Sequence, residues 1–305
     1  MSVARRAGYR LLGTRLDYLL HLRPAEWPIV AGHAALGYLL AVGITGLRAG
    51  AHLSEALLGV ALWVVCLNGG TLALNSAFDR DEGDIAYLRR PPPPPRGLAV
   101  ASLGLMLAGQ GAALLLPPAY QVAYATCVVL SVLYSVPPMR LKAVAGADWI
   151  INMVGFGTLT PFAGWAATGL PLDPARGLAL IAFCPLFAAL YPLTQIYQLE
   201  EDIRRGDRTL ATVLGVGGRL DAATAALTVA FALFAAAGVA AGWGPGHRAW
   251  RWPVLALALS GWLAVLLPWR RDAGRLDAPD HQRGMYRALA AWAVTDLAVL
   301  VAFGA

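Results

Sequence analysis

The chain has 305 residues, of which 58% are hydrophobic and only 14% charged, with a mean hydropathy of +0.58. That balance excludes an ordinary soluble enzyme and describes an integral membrane protein. The formal net charge of +6 is no footprint for nucleic acid, because the basic residues are distributed as membrane orientation requires.

Met1 to Arg23 carries Arg5, Arg6, Arg10, Arg15 and Arg23, with no uninterrupted apolar stretch leading to a small-residue cleavage site. It reads as a retained cytoplasmic segment, in part an amphipathic helix lying at the membrane surface. From there, mainly apolar runs long enough to cross a bilayer predict nine transmembrane helices, near 25–46, 54–75, 97–117, 119–136, 148–168, 176–197, 221–242, 252–269 and 285–303. Pro117-Pro118, Pro137-Pro138 and the stretch from Gly242 to His247 supply the breaks. The expected architecture is one all-α bundle over 1–305, with 1–23 as its surface segment. Pro91 to Pro95 should form a short, stiff polyproline connection. Cys66, Cys127 and Cys184 each sit in an apolar run without metal-type spacing and read as small core residues.

With nine spans, all but four of the 24 Lys and Arg (Arg48, Arg176, Arg248 and Arg251) fall on the side of the N-terminus. The positive-inside rule makes that side cytoplasmic and puts the C-terminus on the other. A bacterial inner membrane is the expected location, from the alanine, arginine and glycine bias.

Two acid-rich segments stand where apolar runs stop on the cytoplasmic side. The first runs from Asn75 through Asp79, Asp81, Glu82 and Asp84; the second runs from Gln195 through Gln198, Glu200, Glu201 and Asp202 to Asp207. Crowded carboxylates repel one another unless cations hold them, and oxygen-only ligands suit Mg²⁺, which commonly takes one or two carboxylates together with phosphate oxygens. On a helix Asn75 and Asp79 share a face, as do Gln198 and Asp202, with Glu201 adjacent. Asp84 returns to the same ion if Gly83 ends the helix. The candidate metal ligands are therefore Asn75, Asp79, Asp84, Gln198, Glu201 and Asp202, with Asp79 and Asp202 central to catalysis. Arg80, Arg90, Arg140 and Lys142 are candidates for diphosphate oxygens. Asn68, Tyr134, Asn152, Tyr197 and Asp296 are candidate pocket residues; Asp296, mid-way along the last span, is costly to bury without a partner.

These residues resemble the UbiA superfamily of intramembrane prenyltransferases. Asn75 and Asp79 match the first motif's Asn-x-x-x-Asp, and Arg90-Pro91 matches the Arg-Pro that follows it. The stretch from Tyr134 through Pro137-Pro138 to Arg140 and Lys142 matches the Tyr-Ser-x-Pro-Pro-x-Arg-x-Lys loop, and Asp202 with Gly206 and Thr209-Leu210 matches the second motif. The resemblance implies a UbiA-like nine-helix bundle, Mg²⁺, a prenyl diphosphate substrate and a lipophilic, often aromatic, acceptor, with the membrane as its surroundings and no nucleic acid. An apolar tunnel would hold the prenyl tail, with Phe156, Phe162, Trp165 and Tyr191 as possible walls. Ser76, Gly83 and Gln198 stand where the family often has Asp. These departures keep open a terpene cyclase, in which the ionised chain closes on itself. A transporter or lipid-binding protein is the reading from another class.

Overall fold

The computed structural model describes residues 3–79, 85, 88, 90–194, 196, 210–246 and 248–304. Their regular secondary structure is helical apart from an isolated bridge between Ile85 and Leu88. Two short helices, α1 (Val3–Leu12) and α2 (Arg15–His21), form the surface segment. The bundle follows as α3 (Trp27–Arg48), α4 (Leu53–Asp79), α5 (Leu98–Ala113), α6 (Pro118–Ser135), α7 (147–166), α8 (Pro174–Thr194), α9 (Leu210–Ala240), α10 (Arg251–Asp272) and α11 (Ala278–Phe303). Six of them, α3, α4, α8, α9, α10 and α11, include stretches long and apolar enough to cross a membrane. The other three expected spans coincide with α5, α6 and α7, which do not reach that length and hydropathy together.

Exposure shows which solvent the fold answers to. Leu57, Leu107, Leu115, Leu257 and Leu297 all lie outward, scattered over several helices as lipid-facing side chains are. Two apolar cores lie inside. One is built mainly by α8, α9, α10 and α11, and the other by α4, α5, α6 and part of α7, with Phe162 of α7 packed against both.

In lipid the gain from burying apolar surface between helices is small, so close approach and internal hydrogen bonds decide the packing. The crossing of α3 and α7 illustrates this. A Cβ on Gly37 would strike the carbonyl of Pro161, and one on Gly164 would strike the carbonyl of Ala34. Only hydrogen at both positions lets these backbones touch.

Two π-helical turns interrupt the bundle, Leu62–Asn68 in α4 and Met153–Leu159 in α7. Such turns commonly mark functional positions. A hydrogen bond from Trp63 Nε1 to Thr160 Oγ1 (3.1 Å) ties the first to the end of the second. The surface segment is tied down as well. Arg5 Nη1 donates to Arg90 O (2.8 Å), Tyr18 Oη donates to Arg96 O (2.6 Å), and His21 Nε2 lies 3.1 Å from Pro92 O. A polyproline segment makes no hydrogen bonds of its own; here α1 and α2 supply donors to Pro92 O and to the carbonyls of Arg90 and Arg96 that flank the run.

Candidate functional site

Helix α4 runs unbroken from its π turn to Asp79. Asn75 and Asp79 therefore lie one turn apart on one face, as their spacing predicts. The connection after α6 folds back over them. Lys142 Nζ donates to Asn75 Oδ1 (3.2 Å) and forms an ion pair with Asp79 Oδ1. Arg140 Nη2 stands 3.6 Å from the same carboxylate oxygen. The Asp79 and Lys142 side chains are only 7% and 12% exposed, whereas Arg140 is 35% exposed. Lys142 is the sole lysine of the chain. A chain that otherwise uses arginine for every cation and places its one compact ammonium here offered a compositional signal that motif spacing alone does not use.

Backbone strain is present on the same side at Arg23, Arg90 and Arg140, while His52 lies at the far end of α4. Among the described residues, the non-glycine residues with positive φ are Arg23 (49°), His52 (52°), Arg90 (48°) and Arg140 (34°). Left-handed backbone at a side-chain-bearing residue persists only where the surroundings impose it, and it collects at ligand clamps. Arg23 was not among the residues expected from the motifs, although it directly precedes Pro24 at the entrance to α3. It is buried, and its Nη2 donates to Ser76 Oγ (3.3 Å). Ser76, at a position where an acid was anticipated, thus offers that guanidinium a neutral acceptor.

Two neighbouring cavities open from this cluster into the membrane core. One, of about 200 Å³, is walled chiefly by α4, α6 and α7 and includes Asn68, Asn75, Tyr134 and Asn152. The other, of about 480 Å³, lies against α3, α8 and α11 and is lined mainly by aromatic and aliphatic side chains, with Arg23, Glu26, His33 and Gln282 among them. They share Arg23, Leu72, Asn152, Phe156 and Thr160. Tyr134 belongs to the smaller and Tyr191 to the larger, and their hydroxyls meet at 3.2 Å. In the larger cavity Phe156 stacks on Phe187 with centroids 5.4 Å apart, and Phe187 meets Trp292 edge-on at 5.6 Å.

Asp296 has a different part from the one expected. It lines neither cavity; its carboxylate oxygens lie 3.1 and 3.2 Å from His33 Nδ1, while His33 Nε2 lies 3.2 Å from Gly157 O. A carbonyl can only accept, so Nε2 donates to it while Nδ1 faces the carboxylate. The pair joins α11 to α3 and orients His33, which does line the larger cavity. Two expected wall residues also fall elsewhere. Trp165 is buried in a core with its indole N–H on Leu170 O, and Phe162 fills the space between the two cores. Phe156 lines both cavities and Tyr191 the larger.

Arg80, Asp84, Gln198, Glu201, Asp202 and Tyr197 lie outside the described residues. Among the described residues no three His, Cys, Asp or Glu side chains converge. The half-site that is described nevertheless suits a hard cation. The amide oxygen of Asn75 and a carboxylate oxygen of Asp79 meet at one point, and a cationic ammonium stands there. Those are donors of the kind Mg²⁺ takes.

The profile of the UbiA prenyltransferase family matches residues 27–294. No curated protein matches the chain. Among solved structures, a UbiA homologue from Archaeoglobus fulgidus bound to GPP and Mg²⁺ is similar, at 18% identity and a TM-score of 0.64 over 91% of this chain and 99% of that one. The same homologue bound to DMAPP and Mg²⁺ gives 18% and 0.63 over 91% and 98%. A structure concerned with digeranylgeranylglyceryl phosphate synthase gives 15% and 0.67 over 95% and 98%.

Proposed function

The chain belongs to the UbiA prenyltransferase family, and on that premise we propose that it is a Mg²⁺-dependent intramembrane enzyme that ionises a prenyl diphosphate and transfers the prenyl chain to a lipophilic acceptor. The observation that carries this reading is the meeting of Asn75, Asp79, Lys142 and Arg140 beside paired, mainly apolar cavities, the smaller of which reaches Asn75 and both of which reach Arg23. The homologue's complexes with GPP or DMAPP and Mg²⁺ support it.

In this reading Asn75 and Asp79 hold the metal from one side, with Asp84, Gln198, Glu201 and Asp202 as the remaining ligands. Mg²⁺, when bound, offsets charge on the leaving diphosphate. Lys142, Arg140 and Arg23 bind the diphosphate oxygens, and Arg80 and Arg90 flank them. The bond between prenyl C1 and oxygen breaks with its electron pair leaving on diphosphate. A bond from C1 to the acceptor forms, and the proton displaced from the acceptor passes to the departing diphosphate. The aromatic faces of Phe156, Phe187 and Trp292 stabilise the allylic cation and keep water from it. A cavity of about 480 Å³ is within the range of small-molecule sites and takes the tail. The enzyme is a single nine-span domain of a bacterial inner membrane, with a cytoplasmic N-terminus and α5, α6 and α7 crossing as well.

The same aromatic wall favours one second reading, in which the cation is captured by the tail's own double bonds and the product is cyclic. Purified protein in detergent, supplied with geranyl, farnesyl or geranylgeranyl diphosphate and Mg²⁺, separates the cases. Acceptor-dependent release of diphosphate supports transfer, whereas acceptor-free release with a cyclic hydrocarbon supports cyclisation. No release under either condition favours a transport or lipid-binding role.

A further inference from the structure

Asn68 is 4% exposed on the wall of the smaller cavity, at the last position of the π turn in α4. Neither its Oδ1 nor its Nδ2 has a hydrogen-bond partner. The other polar side chains on that wall are engaged. Thr71 and Ser131 share a hydrogen bond (2.6 Å), Thr160 accepts from Trp63 and donates to Gly155 O, Asn152 donates to Asp148 O, Tyr134 meets Tyr191, and Asn75 accepts from Lys142. An amide with a donor and an acceptor both unmet, far from bulk water, costs several kcal/mol unless a guest meets them.

We propose that Asn68 is the anchor of an acceptor subsite that takes a small, uncharged ring bearing a neighbouring hydrogen-bond donor and acceptor, such as a carboxamide. The inference rests on the transferase reading and specifies what that reaction accepts. Size fits. The cavity of about 200 Å³ is larger than an apolar cavity of roughly 150 Å³ that holds benzene, and Trp63, Tyr134 and Phe156 supply faces for a ring. Depth fits too, since seven residues separate Asn68 from Asn75, about 10 Å along a helix. A ring anchored at Asn68 therefore extends toward the diphosphate end.

Hydrogen-bond pairing decides against an anionic guest. Among the described residues Arg23 is the one charged side chain on this wall, and its Nη2 donates to Ser76. A carboxylate only accepts, so at Asn68 it would meet Nδ2 and leave Oδ1 unmet; a carboxamide pairs with the amide donor to acceptor and acceptor to donor.

Equilibrium dialysis of purified protein in detergent, without prenyl diphosphate, tests this with benzamide and benzoate as probes. Benzamide is expected to bind, benzoate to bind at least about tenfold more weakly, and Asn68→Leu to weaken benzamide by roughly tenfold to hundredfold in protein whose size-exclusion profile is that of the wild type. Failure of wild-type protein to bind benzamide, or benzoate binding as tightly as benzamide, overturns the proposal, and water alone then satisfies Asn68. Benzamide affinity unchanged in Asn68→Leu overturns it as well, and the wild-type comparison stands if that variant fails to fold. Diphosphate release from geranyl diphosphate is assayed separately, so absence of any prenyl chemistry refutes the enzymatic reading while leaving the benzamide result to be judged on its own.

Discussion

Replacing Asp79 with asparagine keeps the shape of the side chain and removes its charge. At 3.6 Å from Arg140 Nη2, the lost attraction is about 5 kcal/mol at the effective dielectric of a protein surface. Arg140 is 35% exposed, however, so water screens most of this and about 1 kcal/mol remains. Lys142 is better buried but keeps Asn75 Oδ1 at 3.2 Å and an amide oxygen in place of the carboxylate. The cost to folding is therefore about 1–3 kcal/mol, which a bundle of this size tolerates. Turnover is a different matter, because in the proposed function the missing charge belongs to a metal ligand beside the leaving diphosphate. A loss of roughly 10²–10³-fold is expected, with half-saturation by Mg²⁺ moved to higher concentration. The assay is diphosphate release from geranyl diphosphate across a Mg²⁺ titration, alongside thermal unfolding of the same preparation in detergent. Near wild-type turnover with an unchanged Mg²⁺ curve would refute the reasoning, as would a loss of activity that merely tracks loss of folded protein.

Lys142→Met removes a cation from the point where Asn75 and Asp79 meet, so Mg²⁺ is expected to bind at least as tightly while KM for geranyl diphosphate rises roughly tenfold or more; a KM unchanged from wild type would remove Lys142 from diphosphate binding. Because Lys142 is the sole lysine, acylation of ε-amines reports on that residue alone, and geranyl diphosphate with Mg²⁺ should protect it, as peptide mass spectrometry would show. Gly164→Val drives a side chain into the Ala34 carbonyl and to within 3.0 Å of the Tyr38 nitrogen, neither of which can yield, and stability should fall by about 3 kcal/mol or more; an unchanged unfolding midpoint would show that α3 and α7 separate freely. Chelation with EDTA should abolish diphosphate release and added Mg²⁺ restore it, without altering the unfolding profile of substrate-free protein.

What could be read from the sequence was whatever depends on local pattern. Apolar runs of bilayer length marked the helices because a lipid solvent demands backbone hydrogen bonds within each segment. The four-residue interval between Asn75 and Asp79 placed both on one face because a helix repeats every 3.6 residues. Arg140 and Lys142 were legible as basic residues in a loop of recognisable motif. Six helices meet the length and hydropathy of a crossing outright, and α5, α6 and α7 are shorter or more polar.

Tertiary structure alone decided which of those residues meet. Nothing local brings Lys142 to Asp79, Arg23 to Ser76 or His33 to Asp296, since their separations along the chain carry no periodicity. The aromatics divided into wall and core according to which backbone could approach which, and a pair of glycines at the α3–α7 crossing sets that approach. Asn68 was legible as a polar pocket candidate in an apolar run, but only the closed bundle shows that its amide is left unmet. Sequence therefore specifies the helices and the chemistry they carry, while the subsites exist only where helices distant in the chain pack, because a cavity is a property of several surfaces at once.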